Sequence, residues 1–463
     1  MCTRLVLRLL AAGCGTVCLT ASHLSAQAPS PAPTFQFLRW QEDWSAWSPP
    51  AGPTSGFDAL KHVTLKSGDW LSFGADFRAR AESWRNFNFG APAGISHDDT
   101  FILTRWRAHA DYHATTGLRA FAELKGAYAS ERDLPGGIRP IDQDKFELQQ
   151  AFLEFDLPFA PSVRARAGRQ LFAFGAQRLI SGLPWANALR TWDGLRLDTS
   201  VAGWQISGFG AAFVPSTARG IGTAADDNRL FGVYASRPGL DAYVLHHQWP
   251  SRTFNGSTGR DARWTLGTRL HGRVSARTDY ELELSYQTGS VGPHDVTAWS
   301  IASQIGLRPL AEADTLRLWV GFDAASGDDR PGGRVGTFNQ LYPLGHAYFG
   351  IADVIGRQNI IDLSAGATWK PFPRLTLNAA WHHFRTQDTA DALYNPGGGV
   401  VRAAGTYTDP EIADELDLVA AWKINRHVVA ALGWAHVFAG PAIRQSGPAQ
   451  DIDFAYATTT WTF

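Results

Sequence analysis

The sequence predicts an all-β protein, a transmembrane antiparallel up-and-down β-barrel of about 18 strands. Three observations support this fold class: apolar and polar residues alternate with a period of two, long apolar runs are missing after residue 28, and the chain ends in an alternating aromatic strand. A period of two places one face of a strand in an apolar medium and the other in water. The composition agrees, because 44% of the 463 residues are hydrophobic and only 18% are charged.

Residues 1–28 are predicted to be a secretory signal peptide. Two arginines precede an apolar stretch from Leu5 to Leu19, and Ala26-Gln27-Ala28 is a small-residue cleavage pattern. The stretch is shorter than the roughly 20 residues of a membrane-spanning helix, although an anchor or a lipoprotein cleavage at Cys14 is the alternative. All three cysteines of the sequence lie inside this segment. We therefore expect an exported mature chain without disulfides or thiolate metal sites.

Residues 29–68 are predicted to form an N-terminal periplasmic segment at the channel entrance, and residues 69–463 to form the barrel. In the first strand Phe73 and Phe77 fall on one face, whereas Asp76 and Arg78 fall on the other. The chain contains about 18 such segments of roughly 8 to 13 residues, and about 9 to 11 residues let a tilted strand cross the hydrocarbon layer. A soluble propeller or solenoid is the alternative, but no repeat of about 20 to 50 residues recurs.

Aromatic residues near the ends of the apolar faces predict girdles at the two membrane interfaces. These residues are Trp70, Trp84, Tyr112, Tyr128, Trp249, Trp264, Trp299, Trp369 and Trp422. The last alternating strand ends with Trp461 and Phe463. A terminal aromatic residue after such a strand resembles the assembly signal of bacterial outer-membrane barrels, and we expect the barrel assembly machinery to bind it.

Several short motifs are too specific to follow from composition. They are Arg39-Trp40-Gln41-Glu42-Asp43-Trp44, Gln149-Gln150-Ala151-Phe152, Gly168-Arg169-Gln170, Gln177-Arg178-Leu179, Arg190-Thr191-Trp192-Asp193-Gly194, Leu341 to Gly350, and Glu415-Leu416-Asp417. On these motifs the mature chain resembles the alginate-export outer-membrane porin family from end to end. The resemblance implies a barrel of the same strand number in the bacterial outer membrane. It also implies a channel that secretes a polyuronate.

Arginine outnumbers lysine 36 to 6. A guanidinium group is a planar, permanently charged fork that matches carboxylates, and polyuronates are chains of carboxylates. A high-GC genome also favours arginine codons, but many of these arginines fall on the polar strand faces. The predicted substrate channel consists of Arg78, Arg80, Arg105, Arg107, Arg169, Arg178, Arg190, Asp193, Arg269 and Arg317. Nearby carboxylates are expected to pair many of these arginines, so that a minority faces the permeant.

The stretch from Gly168 to Gly194 is predicted to leave the wall and form the selective constriction, because it combines arginines with glycine and proline. An ordinary loop is the alternative. Strand parity would place Arg169 on the outer face, so its position in the lumen requires the strand to end or bulge near Gly168. The segments Gly327–Gly356 and Ala390–Asp414 are long enough to be gates. Their carboxylates could bind Ca²⁺, but no calcium-binding loop motif is present.

The sequence therefore predicts an outer-membrane channel for an anionic polysaccharide, with uptake of other small anionic solutes as the alternative. A barrel-embedded lipid hydrolase is less consistent with the sequence, because Ser285 or Ser364 with His271 lacks a surrounding motif. A narrow structural or adhesive barrel does not fit the strand number. The formal net charge of −1 lacks the basic field that nucleic acid would require. We expect no enzyme activity, cofactor or metal; the expected partners are the permeant, outer-membrane lipid and, for an exporter, periplasmic polymer-secretion proteins.

Overall fold

The computed structural model describes residues 32–47, 57–90, 96–310 and 315–463. Its main feature is a closed antiparallel barrel of 18 long strands, in which each strand pairs with the next and the last pairs with the first. The strands are β1 Trp70–Arg85, β2 Asp99–His113, β3 Arg119–Ala129, β4 Asp144–Leu157, β5 Ala160–Gln170, β6 Thr191–Val201, β7 Trp204–Val214, β8 Arg229–Arg237, β9 Leu240–Phe254, β10 Ser257–Arg273, β11 Thr278–Val291, β12 His294–Leu307, β13 Leu316–Ala325, β14 Ile360–Phe372, β15 Leu375–Arg385, β16 Glu411–Lys423, β17 Val428–Ala439 and β18 Ile452–Thr462. The predicted fold class and strand number are confirmed. The predicted signal peptide and residues 29–31 lie outside the described residues.

Shorter elements complete the described part of the chain. They are a six-residue helix α1, Pro441–Ser446, four 3₁₀ turns at Arg39–Gln41, Asp58–Lys61, Phe87–Phe89 and Gly345–Ala347, a strand Val63–Thr64 that pairs with β1, and a small hairpin of Leu393–Tyr394 with Val400–Arg402. No helix within the described ranges is long and apolar enough to cross a membrane.

The two ends of the barrel differ in their connections. Short turns join the strands at the end that holds Phe463, which we call the turn end. Long connections lie at the opposite end, which we call the loop end. Two of these connections turn into the barrel: inner loop 1, residues 171–190, and inner loop 2, residues 326–359. They determine the shape of the lumen.

The strands alternate as the sequence predicts, because β-strand side chains point to opposite faces in turn. Phe73 and Phe77 of β1 are exposed on the outside, whereas Asp76 and Arg78 are buried inside. Trp264, Trp299, Trp369 and Trp422 are exposed on the outer face, as expected of a girdle. Three aromatic residues differ. Trp70 shares the inner face with Asp76 and stacks on His62 and His113 at 4.8 and 3.8 Å between ring centroids. Trp84 is buried against Phe454, and Trp249 packs on Tyr342 of inner loop 2, because the inner loops and the rim cover the upper ends of these strands.

The alternation can be tested by adding one charge on each face. Val320 is exposed on the outer face near the middle of β13, and Asn378 is exposed on the inner face of β15. Val320→Arg is expected to lower the free energy of unfolding by about 2 to 4 kcal/mol, because an arginine near the bilayer midplane contacts lipid. Asn378→Arg is the matched control and should fold like the parent chain. Urea titrations of both variants in lipid vesicles measure this difference; equal stabilities would contradict the assignment of faces.

Candidate functional site

Inner loop 1 is held in the lumen by arginines of the wall. Arg78 donates hydrogen bonds to the main-chain carbonyls of residues 184–186, each at 3.0 Å, and Arg105 donates to the carbonyls at 184 and 186 at 3.2 and 2.9 Å. Arg80 donates to the Trp185 carbonyl at 2.6 Å, and its guanidinium lies 3.8 Å from the Trp185 ring centroid. These three predicted channel residues therefore fix the position of a loop in this structure.

Inner loops 1 and 2 pair with each other inside the barrel. The Tyr342 N–H donates to the Leu179 carbonyl at 2.8 Å, and the Ser181 N–H donates to the Tyr342 carbonyl at 2.9 Å. Arg190 crosses between the loops and donates to the Pro343 carbonyl at 2.8 Å. Burial lowers the pKa of Arg190 to about 10, so it stays charged at neutral pH. The two loops are thus linked to each other inside the lumen.

A chain of ion pairs extends from inner loop 1 to the wall at the turn end. Arg178 binds Glu281 and lies 3.0 Å from Glu283. Glu281 also accepts from Arg269 at 3.1 Å, and Arg269 reaches Asp241 at 3.0 Å. Because each arginine has two carboxylate partners, their forks are held in fixed orientations. Arg178 and Arg269 nevertheless each line a cavity of the lumen.

Two further predicted channel residues are paired on the inner face. Arg107 contacts Asp76 at 2.6 Å and lies 3.8 Å from Glu123. Arg317 contacts Asp279 at 2.6 Å. The Arg107 pair is buried, whereas the Arg317 pair is partly open to the lumen at the turn end.

Arg169 and Asp193 do not lie in the lumen, contrary to the sequence-based expectation. β5 pairs with both neighbours without interruption through Gly168 to Arg169, so parity keeps Arg169 on the outer face. Asp193 shares the outer face with the exposed Leu195, whereas its neighbour Trp192 is buried inside. The two residues form an ion pair at 2.7 Å near the loop end. Gly168 allows the continuous strand, since its φ of 128° is unfavourable for other residues.

A cavity of about 970 Å³ opens beneath inner loop 1 at the turn end, and we call it the vestibule. Six arginines and three carboxylates line it, and Asp111, Asp156 and Glu281 beside the lining also pair with Arg119, Arg164 and Arg269. The arginines are Arg119, Arg164, Arg166, Arg196, Arg237 and Arg269, and the carboxylates are Glu154, Asp198 and Asp241. Within the described ranges Arg237 has no carboxylate partner, and its guanidinium lies 4.7 Å from the Trp204 ring centroid. The vestibule can therefore bind carboxylate groups.

A second, smaller cavity of about 230 Å³ lies beneath inner loop 2, and we call it the chamber. Arg178 lines it together with Glu281, Asp323 and Asp417, so its carboxylates outnumber its arginine. Trp319 lies against the inner wall at Gly366, where a larger residue would collide with the indole ring. The chamber thus offers an aromatic face and hydrogen-bonding groups. The ion pairs of Arg178, Glu281 and Arg269 stand between the chamber and the vestibule.

Sequence reasoning did not find the role of Arg119 and Arg237 in the vestibule. Arg119 begins β3, and parity with the inward Phe121 and Glu123 would have revealed its orientation. Arg237 is the last residue of β8, where parity is a weak guide.

The described part of the chain contains no group of three or more His, Cys, Asp or Glu side chains that could hold a metal ion. Ser285 contacts the Tyr243 hydroxyl at 2.7 Å and lies opposite Gly267. His271 lies opposite Glu281, four positions away along the same strand pair. That separation is about 13 Å at roughly 3.3 Å per residue, so Ser285 and His271 do not form a catalytic pair in this structure.

A family model described as alginate export matches residues 69–456. Comparison with curated proteins gives no match. Among solved structures, OccK11 (OpdR) of Pseudomonas aeruginosa has a TM-score of 0.57 and 12% identity, covering 88% of this chain and 98% of its own. OpdK of the same organism, solved with vanillate, has a TM-score of 0.54 and 11% identity over 84% and 98% of the two chains. The outer membrane protein OprD, also from this organism, has a TM-score of 0.55 and 9% identity over 85% and 93%. At these identities the structures are similar in fold.

Proposed function

The chain belongs to the alginate export family and is a bacterial outer-membrane β-barrel of the channel type, and from this premise we propose that it passes an anionic polysaccharide of the alginate-like polyuronate class. The arginine-rich vestibule carries the proposal. In outer-membrane barrels the short turns face the periplasm, so the turn end is where a polymer made in the cell would arrive. The clustered arginine forks, among them Arg237 with no carboxylate partner in the described part of the chain, would attract its carboxylates.

The arrangement of the vestibule suits a permeant that must also leave. Arg166 is paired with Glu154, and Arg196 lies 2.8 Å from Asp198, so these forks already share their charge. Conduction requires binding that is favourable enough for entry but weak enough for release. An arginine that already shares its charge with a carboxylate binds an incoming carboxylate less tightly than an unpaired arginine would, because the first carboxylate still needs its counter-ion. The polymer would therefore bind each arginine weakly and could move from one arginine of the vestibule to the next.

Uptake of small anionic solutes is the second candidate function, and one observation favours it. The inner loops contact each other inside the barrel, and the vestibule of about 970 Å³ is in the range of small-molecule sites. OpdK, which is similar in fold, was solved with vanillate. A small solute would fit the vestibule without any movement of the loops.

Conductance in planar bilayers tests the proposal. The purified protein is expected to prefer anions to cations, and oligomers of mannuronate or guluronate should interrupt its current where neutral sugars of equal length do not. Replacing Arg196 and Arg237 together by glutamine should weaken the block, because each lost charge-assisted contact is worth about 1.5 to 3 kcal/mol. Added salt should weaken it as well, since the attraction is screened over about 8 Å at physiological ionic strength.

Arg229→Gln is the matched control, because Arg229 is an exposed arginine at the loop end of β8. It should leave the uronate block unchanged. A pore that passes single uronates but is not blocked by oligomers would favour the uptake function. A cation-selective pore that does not respond to uronates would contradict both candidates.

A further inference from the structure

Residues 32–47 lie inside the barrel at the turn end. Arg107 donates to the Phe37 carbonyl at 3.1 Å, and Arg119 donates to the Trp40 carbonyl at 2.5 Å. The Trp40 ring centroid lies 3.6 Å from the guanidinium of Arg166. Three inward-facing arginines are thus engaged by this segment, and Arg119 and Arg166 belong to the vestibule.

The same segment packs against inner loop 1. Leu38 is buried together with Leu171 and Leu189 of that loop, and Phe37 packs against the same group. The segment therefore reaches from the turn end to the loop that narrows the lumen. It fills space between the mouth of the barrel and inner loop 1.

The segment is fixed at the seam where β18 meets β1. Arg39 donates to the Phe463 carbonyl at 3.1 Å and forms an ion pair with Glu42 at 2.7 Å. Glu42 also accepts from the Trp44 indole at 3.0 Å, and Trp44 is almost fully buried. Arg39, Glu42 and Trp44 thus fix the segment to the wall. Phe37, Leu38 and Trp40, which we call the tip, contact inner loop 1 and the inward-facing arginines.

We propose that residues 32–47 are an intramolecular plug, whose tip occupies the vestibule in competition with the permeant. The plug closes the periplasmic mouth until an anionic chain takes over Arg119 and Arg166. The identity of this competitor rests on the proposed function, whereas the closure itself is a property of the plug and can be measured with salt ions alone.

The chemistry of the contacts gives the exchange a direction. The tip offers these arginines two neutral carbonyls and the aromatic rings of Phe37 and Trp40. A carboxylate is a stronger partner, because it is charged and can accept both prongs of a guanidinium. The Trp40 indole N–H is also buried without an acceptor in the described part of the chain, which weakens the docked state. A polyuronate can therefore compete with the segment for Arg119 and Arg166.

A reversible cross-link tests the plug. The only cysteines of the sequence lie in the predicted signal peptide, so Leu38→Cys with Leu189→Cys introduces one pair at a contact between the plug and inner loop 1. The oxidised protein is expected to stay in its low-conductance state, and a reductant added to the same bilayer should raise the conductance. Leu38→Cys alone is the control and should not respond to reductant. A cross-linked protein whose conductance is the same before and after reduction would overturn the proposal.

A second variant tests the tip without a cross-link. Trp40→Ala removes the cation–π contact with Arg166 and should raise the fraction of time in the high-conductance state by roughly 2- to 30-fold, the factor that corresponds to about 0.5 to 2 kcal/mol. Gln41→Ala, at an exposed position of the same segment, is the control and should leave that fraction unchanged. Equal open fractions in both variants would overturn the plug.

The two proposals fail in different ways. Polyuronate added on the turn-end side should shorten the long closed intervals of the parent protein, while its brief blocks interrupt the open intervals. In Trp40→Ala the closed intervals are already shorter, so polyuronate should change them less. If the cross-link gates salt current while polyuronate has no effect on opening, the plug is supported and the proposed permeant is wrong. Heat-modifiable mobility on gels shows that each variant is folded before it is measured.

Discussion

Replacing Arg78 and Arg105 together by methionine is expected to release inner loop 1 from the wall. The two guanidinium groups supply five hydrogen bonds to the carbonyls of residues 184–186. A hydrogen bond to a charged group is worth about 1.5 to 3 kcal/mol, and the double substitution removes five of them at once. The loop thereby loses its main attachment to the wall. Asp76 keeps Arg107 and Glu82 keeps Arg80 as partners, so no buried carboxylate is left alone.

Limited proteolysis in detergent measures this release. Inner loop 1 of the double variant should be cut, and the single-channel current should become larger and noisier, while the barrel itself remains heat-modifiable. Arg85→Met is the matched control, since Arg85 is an exposed arginine at the end of the same strand. A loop that stays resistant to protease in the double variant would show that its contacts with inner loop 2 are sufficient.

Deleting Phe463 is expected to remove most of the folded protein from the outer membrane. The Phe463 carbonyl accepts from the Ala75 N–H at 2.8 Å and from Arg39 at 3.1 Å, and its ring lies 4.6 Å from that of Phe57. The residue therefore joins the last strand, the first strand and the segment before the barrel. Its loss weakens the seam that closes the barrel, and we expect it also to remove the signal that the assembly machinery binds.

Cell fractionation and heat-modifiable gel mobility measure the outcome. Phe463→Tyr keeps the backbone contacts and an aromatic ring, so it should assemble at the level of the parent chain. Trp461 is exposed on the outer face and makes no contact with Arg39 in the described structure. The contacts that close the seam therefore belong to Phe463 and not to Trp461. Normal membrane levels after deletion of Phe463 would contradict the predicted assembly signal.

The wall could be predicted from the sequence because one local rule governs it. A strand with lipid on one side and water on the other must alternate, so Phe77 and Arg78 reveal their faces without knowledge of any partner. The same rule placed Arg169 on the outer face, and the structure follows parity where the arginine content of the motif suggested the lumen. Strand parity was the better guide at that position.

The interior of the lumen could not be predicted in this way. Arg78 binds carbonyls that lie more than 100 positions further along the chain, and nothing in the alternation of β1 indicates such partners. Residues 32–47 show neither a period of two nor a helical period, so their place in the vestibule depends on contacts with Arg119 and Leu189 that only the folded barrel creates. The alternation thus indicates which strand faces carry arginine, whereas the partners of those arginines depend on the tertiary structure.

Inner loop 1 is held through main-chain carbonyls, which every amino acid provides. Arg78 and Arg105 therefore impose the path of residues 184–186 without specifying the side chains there. Except at Trp185, whose ring lies on Arg80, substitutions in this stretch can therefore change the lumen surface without changing the course of the loop.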